Sequence, residues 1–258
     1  MISARGKQAR IFTDNSSFFD KFHELGKGDT FVGRLRLRPG EEFLLNDLAA
    51  RGVNIFPSGL SQQLSRSKCM QAALLGQFML PHTRVIFTQH DMLAAVNHYT
   101  GQNIGQVISK DDRRNAGMGI LRWQSVEDLF NQATLGTISY PFVIQPYEDG
   151  ARDIRVVALG EYWEAYWRDN PDNFRNNLHF GAESEPCQLR AEQERICRDV
   201  MARGCFPYGH IDLMVTKDNL SYVAEINLRG GIRGAAITPP AYQGQIDLIH
   251  QQYIDSLP

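Results

Sequence analysis

Asp212, Glu225 and Asn227 are the residues whose types and spacing first suggest chemistry. Positions two apart on a strand share a face. A hairpin of HIDLMVT (210–216) and SYVAEINL (221–228), turning on Lys217-Asp218-Asn219-Leu220, would set Asp212 opposite Glu225 and Asn227. Three oxygen donors on one surface suit Mg²⁺, which takes one or two carboxylates and completes its shell with phosphate oxygens and water. The Asn227 amide oxygen adds a ligand without adding repulsion. Acids on a solvated sheet face are also common, and for this trio alone that reading is the more frequent one. The flanking Ile211, Leu213, Ala224 and Ile226 alternate with the acids and mark an apolar, buried opposite face.

A second group is basic. Lys110 ends a strand-like segment, GQVISK (105–110), and the loop DDRRNAGMG (111–119) follows with Gly117-Met118-Gly119. Small residues let backbone N–H groups approach phosphate oxygens, and a lysine supplies a point charge for them. A lone GxG usually marks a tight hairpin turn, and this one is neither a Walker A motif nor a dinucleotide fingerprint. Arg113 and Arg114 suit either phosphate or solvent. Lys68, early in a helical segment, is a second candidate cation, although a single helical lysine is ordinarily a surface charge.

The elements that must position these groups follow from periodicity and punctuation. ARIFTD (9–14), TFVGRLRL (30–37) and VNIFPS (53–58) read as strands, with helices over 16–25 and 41–50 between them, which predicts a small parallel sheet. A helix is expected over 65–78. VIFTQ (85–89), a helix over 90–99, the lysine strand, the glycine loop, a return strand at ILRW and a helix over 125–134 capped by Ser125 follow. FVIQPY (142–147), DIRVVAL (153–159) and EYWEAYWRD (161–169) are strands, DNPDNFRNNLHFGA is a long loop, and 189–203 is a helix stopped at Gly204.

Composition narrows the class. The 258 residues are 43% hydrophobic and 22% charged, an ordinary globular balance, and the net charge of −2 favours neither nucleic acid nor an anionic membrane. No apolar run approaches the roughly 18 residues of a membrane span, and MISARGKQARIF lacks a signal-peptide core. Cys69, Cys187, Cys197 and Cys205 show no metal-ligand spacing and read as reduced thiols of a cytoplasmic protein.

Taken in order, these segments resemble the ATP-grasp superfamily and, within it, the RimK-type, glutathione-synthetase-like carboxylate–amine ligases. The likeness spans roughly residues 65–235: SRSKCMQAALLGQFMLPHTRV, VISKDDRRNAGMGI, FVIQPYEDGARDIRVVALG, WRDNPDNFRNNLHFGA, GHIDLM and YVAEINLRGG. The sequence departs from the family pattern at Arg113 and Arg114 in the lid, at Pro146 in the hinge, and in Leu228-Arg229-Gly230-Gly231 after the metal motif.

The resemblance implies an α+β ATP-grasp fold with a short N-terminal α/β domain of the pre-ATP-grasp kind. Domains are expected at 1–80 (N-terminal), 81–140 (lid) and 141–258 (C-terminal, with the metal site). It implies that Lys68, Lys110, Gly117 and Gly119 serve the ATP phosphates and that Gln145 and Tyr147 sit at the adenine. Asp212, Glu225 and Asn227 would hold two Mg²⁺ ions, or Mn²⁺ in their place. Arg155, Arg168, Arg175 and Asn177 would line the phosphate and acyl site, and Arg229 would reach the reacting carboxylate. The implied partners are ATP, a small carboxylate and an amine, with no nucleic acid or membrane and with a homodimer as a plausible state. A small-molecule kinase on the same scaffold, or a nucleotide-binding regulatory module, are the competing functions.

Overall fold

The computed structural model describes residues 9–114, 119–169 and 183–258. Its three sheets each answer to a different connectivity. The first is parallel: β1 (Ile11–Phe12), β2 (Thr30–Val32) and β3 (Asn54–Phe56) in that order. Parallel neighbours need crossovers, and α1 (Asn15–Asp20) and α2 (Phe43–Ala50) lie in the two connections. Phe18, Phe31, Leu35 and Leu48 form the core of this region and are fully buried.

The strand expected over 30–37 pairs only as far as Val32. Beyond it the alternation survives without a ladder: Leu35 and Leu37 are buried, while Arg34, Arg36 and Arg38 face out. Side chains replace the missing partners. Leu35 N–H donates to Gln62 Oε1 (2.9 Å), Arg36 N–H to Asn15 Oδ1 (2.7 Å) and Arg38 N–H to Glu41 Oε2 (2.7 Å).

The second sheet is antiparallel: β4 (Arg84–Ile86), β7 (Phe142–Pro146), β5 (Val107–Asp111) and β6 (Ile120–Trp123), in spatial order β4-β7-β5-β6. Helices α5 (Gln89–Gly101) and α6 (Val126–Thr134) pack on it around Met92, Tyr99, Leu129 and Phe142. Ser125 caps α6, its hydroxyl accepting from Asp128 N–H at 3.1 Å.

The third sheet is antiparallel, in order β10-β9-β8-β11-β12: β8 (Arg152–Leu159), β9 (Tyr162–Asp169), β10 (Glu183–Cys187), β11 (Tyr208–Val215) and β12 (Ser221–Asn227). Helix α7 (Ala191–Gly204) packs on β11 and β12, and α8 (Pro239–Asp255) on β8. Leu64 of α3 (Gly59–Leu64) and Leu75 of α4 (Lys68–Leu75) complete this core. Tyr162, Trp163, Tyr166 and Trp167 also pack into it.

Three expectations give way here. The helix expected over 65–78 is shorter: it starts at Lys68, with Ser67 as its cap accepting from Met70 N–H at 3.0 Å, and after Leu75 it tightens into a 3-10 turn over Gly76–Phe78. Ala224 does not share the core face: the β11–β12 register shifts between Asp212 and Leu213, so Leu213 pairs with Val223 and Ala224 becomes a bulge residue. Gly204 is not the left-handed stop of α7. Cys205 takes that conformation (φ 55°), while Gly204 is needed because a Cβ there would lie 2.6 Å from the Phe206 ring. Among the described residues no helix is long and apolar enough to cross a membrane.

Candidate active site

Strand register builds the site. On β11 and β12, Asp212 pairs directly with Glu225 and His210 with Asn227. On the other side of β11, Asp212 pairs with Arg155 of β8, and β9 then sets Arg168 opposite Asp153. Acids and arginines therefore interleave across one sheet face, as the hairpin reading required for Asp212, Glu225 and Asn227.

β12 is an edge strand, and an edge leaves backbone groups without a ladder. Gln71 of α4, fully buried, fills that role for one residue: its amide nitrogen donates to Ile226 C=O (2.9 Å) and its amide oxygen accepts from Ile226 N–H (2.9 Å). Leu228 N–H donates to Ser65 Oγ at 2.9 Å. The residue between Glu225 and Asn227 is thus fixed from both directions.

Asp212 is the electrostatic centre. Arg155 contacts it through Nε and through Nη2 (3.1 Å), and Arg168 Nη2 lies 3.0 Å from its Oδ2. Burial would push the Asp212 carboxyl up, but the two guanidinium groups outweigh it and hold the pKa down. Asp153, paired to Arg168 (Nε to Oδ2, 2.6 Å), goes the other way: burial and then the Asp212 charge raise its pKa against the pull of Arg168. His210 is buried, with Nε2 at 2.9 Å from the Tyr242 hydroxyl and Nδ1 at 3.5 Å from Arg155 Nη1. Burial, followed by the Arg155 charge, drives it down to about 3, so it is neutral. Arg155 can only donate, which assigns Nδ1 as acceptor and the ring proton to Nε2.

Two lysines approach this face from other elements. Lys68, the first residue of α4, lies 3.3 Å from Glu225 Oε1 and donates to Arg114 C=O at 2.6 Å. Lys110 on β5 is pushed down to about 8, chiefly by burial, with Glu225 opposing the fall and Lys68 adding to it. The loop after Lys110 docks on α4: Asp112 Oδ1 accepts from Ser67 Oγ (2.9 Å) and Cys69 N–H (3.1 Å). Arg113 pairs with Glu42, and Arg114 with Asp111.

The remaining candidates occupy less convergent places. Gln145 is buried on β7, and Tyr147 N–H donates to Gln106 C=O (2.9 Å). Since Pro146 has no N–H, these two backbone positions offer no free donor. Gly119 lets the loop close: a Cβ there would lie 2.7 Å from Arg114 Cβ. Arg229 lies past the end of β12 and is exposed. Gly230 packs over Arg155 and His210, where a Cβ would come within 2.7 Å and 2.8 Å of their nitrogens. Gly117, Arg175 and Asn177 lie outside the described residues.

Sequence reasoning missed Gln71, Asp153, His210 and Tyr242. Asp153, two residues before Arg155, and His210, two residues before Asp212, each carried a signal, because positions two apart on a strand share a face.

The donor set fits a hard divalent cation. It is all oxygen, with two carboxylates paired across one hairpin and an amide beside them. Among the described residues no three His, Cys, Asp or Glu side chains form a cluster able to hold a metal ion alone. A cation here would depend on further oxygens, as Mg²⁺ does when it is shared with phosphate.

Comparison with known proteins bears on the family and the fold. A family model described as the RimK-like ATP-grasp domain matches residues 64–240. The coenzyme gamma-F420-2:alpha-L-glutamate ligase of Methanocaldococcus jannaschii is 26% identical over 176 residues. That match takes in 65% of this chain and 58% of the relative, less than two thirds of its length. Among solved structures, D-cycloserine synthetase DcsG superposes with a TM-score of 0.63 at 15% identity, over 86% of this chain and 83% of its own. D-alanyl-alanine synthetase A from Vibrio cholerae gives 0.60 at 14%, over 89% and 77%. A Chryseobacterium gregarium RiPP-associated ATP-grasp ligase, in complex with ADP and a leader and core peptide, gives 0.59 at 17%, over 89% and 77%. At these identities the structures establish the fold, an α+β ATP-grasp fold.

Proposed function

We propose that this chain, which belongs to the RimK-like ATP-grasp family, is an ATP-dependent carbon–nitrogen ligase that activates a carboxylate as an acyl phosphate and joins it to an amine. The observation that carries this reading is the convergence of Lys68 and Lys110, from two separate elements, on the Asp212–Glu225 face.

In this reading Lys68 and Lys110 neutralise the phosphate chain of ATP, with Gly117 and Gly119 beside it and Gln145 and Tyr147 toward the base. Asp212, Glu225 and Asn227 would hold two Mg²⁺ ions. Those ions, when bound, offset charge as the γ-phosphoryl group moves. The substrate carboxylate oxygen attacks the γ-phosphorus and ADP leaves. The amine then attacks the acyl carbon, the carbon–oxygen bond breaks, the nitrogen gives up a proton to the departing phosphate, and an amide is formed.

Arg155 and Arg168 fix the Asp212 carboxylate and place positive charge next to the reacting groups, where a fixed donor is worth more than in water. Arg175 and Asn177 are assigned to the same surroundings by the resemblance alone. Arg229 holds the organic carboxylate. The domain division at 1–80, 81–140 and 141–258, a homodimer and a cytoplasmic location belong to the same proposal.

The test is a panel of carboxylates with Mg·ATP and hydroxylamine. Hydroxamate and ADP should appear together, in equal amounts, for the right acid. A stable phosphorylated product that hydroxylamine does not intercept would make the protein a kinase instead. Nucleotide binding with no ADP formed for any acid would leave a regulatory module.

A further inference from the structure

A strongly basic cavity of about 920 Å³ lies between the 33–39 segment, the Ser65–Arg66 corner, the end of β12 and helix α8. Six arginines line it, at 34, 36, 38, 66, 113 and 229, against the acids Glu42 and Asp247. Some of this charge is already used. Arg113 pairs with Glu42, Arg38 Nε lies 3.9 Å from a Glu41 carboxylate oxygen, and Asp247 accepts from Gln243 at 2.8 Å. Arg66 donates to the carbonyls of Leu35 and Leu37, both neutral. Neither Arg34 nor Arg229 has a carboxylate partner among the described residues. Desolvation inside the cavity, followed by the neighbouring Arg229 and Arg66 charges, lowers the Arg34 pKa although its side chain is open to solvent.

The arrangement of these cations is also regular. Arg34, Arg36 and Arg38 stand on the open side of an extended segment whose Leu35 and Leu37 are buried, and Arg66 clamps that segment by its carbonyls. Side chains two apart on extended chain are separated by roughly 7 Å. That is also the spacing of alternate side chains on an extended peptide. The guanidinium groups are forks suited to carboxylates, and Arg229 follows the proposed metal ligand Asn227 by two residues, so the row leads to the reaction centre.

We propose that this cavity binds an acidic peptide segment, whose carboxylates pair with Arg34, Arg36 and Arg66 while its reacting carboxylate lies at Arg229. This inference rests on the ligase reading for the reaction but not for the binding. A single small acid at Arg229 would leave Arg34 and Arg36 unpaired, whereas a peptide of several glutamates or aspartates would also reach them.

The experiment uses the full chain and three probes at fixed ionic strength: triglutamate, triglutamine and O-phosphoserine, each titrated calorimetrically with and without Mg and a non-hydrolysable ATP analogue. Triglutamate should bind at least about tenfold more tightly than triglutamine, a difference of about 1.4 kcal/mol, and its affinity should fall as salt rises. Arg34→Ala should remove most of that advantage while leaving unchanged the thermal shift produced by the Mg–nucleotide complex. Should Arg34→Ala unfold, Arg36→Gln tests the same row.

Equal affinity for triglutamate and triglutamine overturns the proposal, as does unaltered triglutamate binding in the folded variant. Binding of O-phosphoserine in preference to triglutamate would assign the cavity to a phosphorylated ligand and also overturns it. A nucleotide response without triglutamate binding defeats this inference alone. Triglutamate binding without any nucleotide response defeats the ligase reading and leaves the cavity assignment standing.

Discussion

The arginines of the five-stranded sheet and those of the cavity are the same residue type under opposite conditions. Arg155 and Arg168 are nearly buried, and each meets a carboxylate: Asp212 for both, Asp153 for Arg168 as well. Arg34 and Arg229 are exposed and have no carboxylate partner among the described residues. A buried ion pair recovers its desolvation cost only through good geometry and hydrogen bonds, so the first pair is committed to shaping the protein. The second pair keeps its donors available. The contrast separates positioning charge from receiving charge, and it can be broken by substitution on either side.

The largest effect should come from the paired side. Glu225→Gln and Asp212→Asn should each lower ADP formation by at least about 100-fold, because both weaken the proposed cation clamp. Asp212→Asn should also lower stability, since it leaves Arg155 and Arg168 buried with less negative charge. Near-normal ADP release from both folded variants would remove these residues from the metal assignment.

Lys110 comes next. Lys110→Ala should weaken nucleotide affinity by about 1.5–3 kcal/mol, the scale of a charged hydrogen bond, measured by calorimetry. The pH dependence has a definite sign. Lys110 titrates near 8 in the nucleotide-free protein, below its ordinary value of 10.5. Only the charged form helps a phosphate, so affinity should decline as pH rises through about 8, with proton uptake on binding above it. For folding, the unfolded chain holds this proton more tightly, so the lysine's cost is full below pH 8 and is relieved between about 8 and 10.5. Lys110→Met should flatten both profiles.

Gln71→Ala tests the support beneath the paired side. It strips Ile226 N–H and C=O of their partners, and each unsatisfied buried group costs about 1–3 kcal/mol. A loss of about 2 kcal/mol or more in urea unfolding is expected, with turnover reduced further than nucleotide binding. An unchanged midpoint would mean that water or a shifted strand replaces the amide.

The smallest effect belongs to the receiving side. Arg229→Lys should raise the Michaelis constant of the acid about tenfold, or about 1.4 kcal/mol, because a point charge replaces a planar fork. The constant for ATP should barely move. A loss confined to ATP would erase the distinction between the two arginine groups.

The sequence made the paired side partly legible and the rest hardly at all. Alternation through HIDLMVT and YVAEINL was enough to set Asp212 against Glu225. It failed at Ala224, the residue just before Glu225, because a bulge is a departure from period two that composition does not announce. The run 34–38 kept its alternation but not its ladder, since burial pattern is local whereas strand pairing needs a neighbour.

Gln71 looked like any polar helical residue. Its value comes from Ile226, far along the chain, and such a partner leaves no periodic mark. β10 and α8 were overlooked, although Thr238 followed by Pro239 is a helix-start signal, and Thr238 does accept from Ala241 N–H at 3.4 Å.

Helix α4 supplies Lys68 at its first turn and Gln71 one turn later, on the side that meets β12. Three residues of helix advance roughly 4.5 Å along its axis, with little freedom to stretch. The spacing between Lys68 and the strand that bears Glu225 is therefore set by a single rigid part, much as a jig holds two drill holes at a fixed pitch. Motion of α4 carries both together. Errors of alignment between the two halves of the site must then arise from β5 and Lys110, whose distance from α4 is spanned by the Asp112 contacts with Ser67 and Cys69.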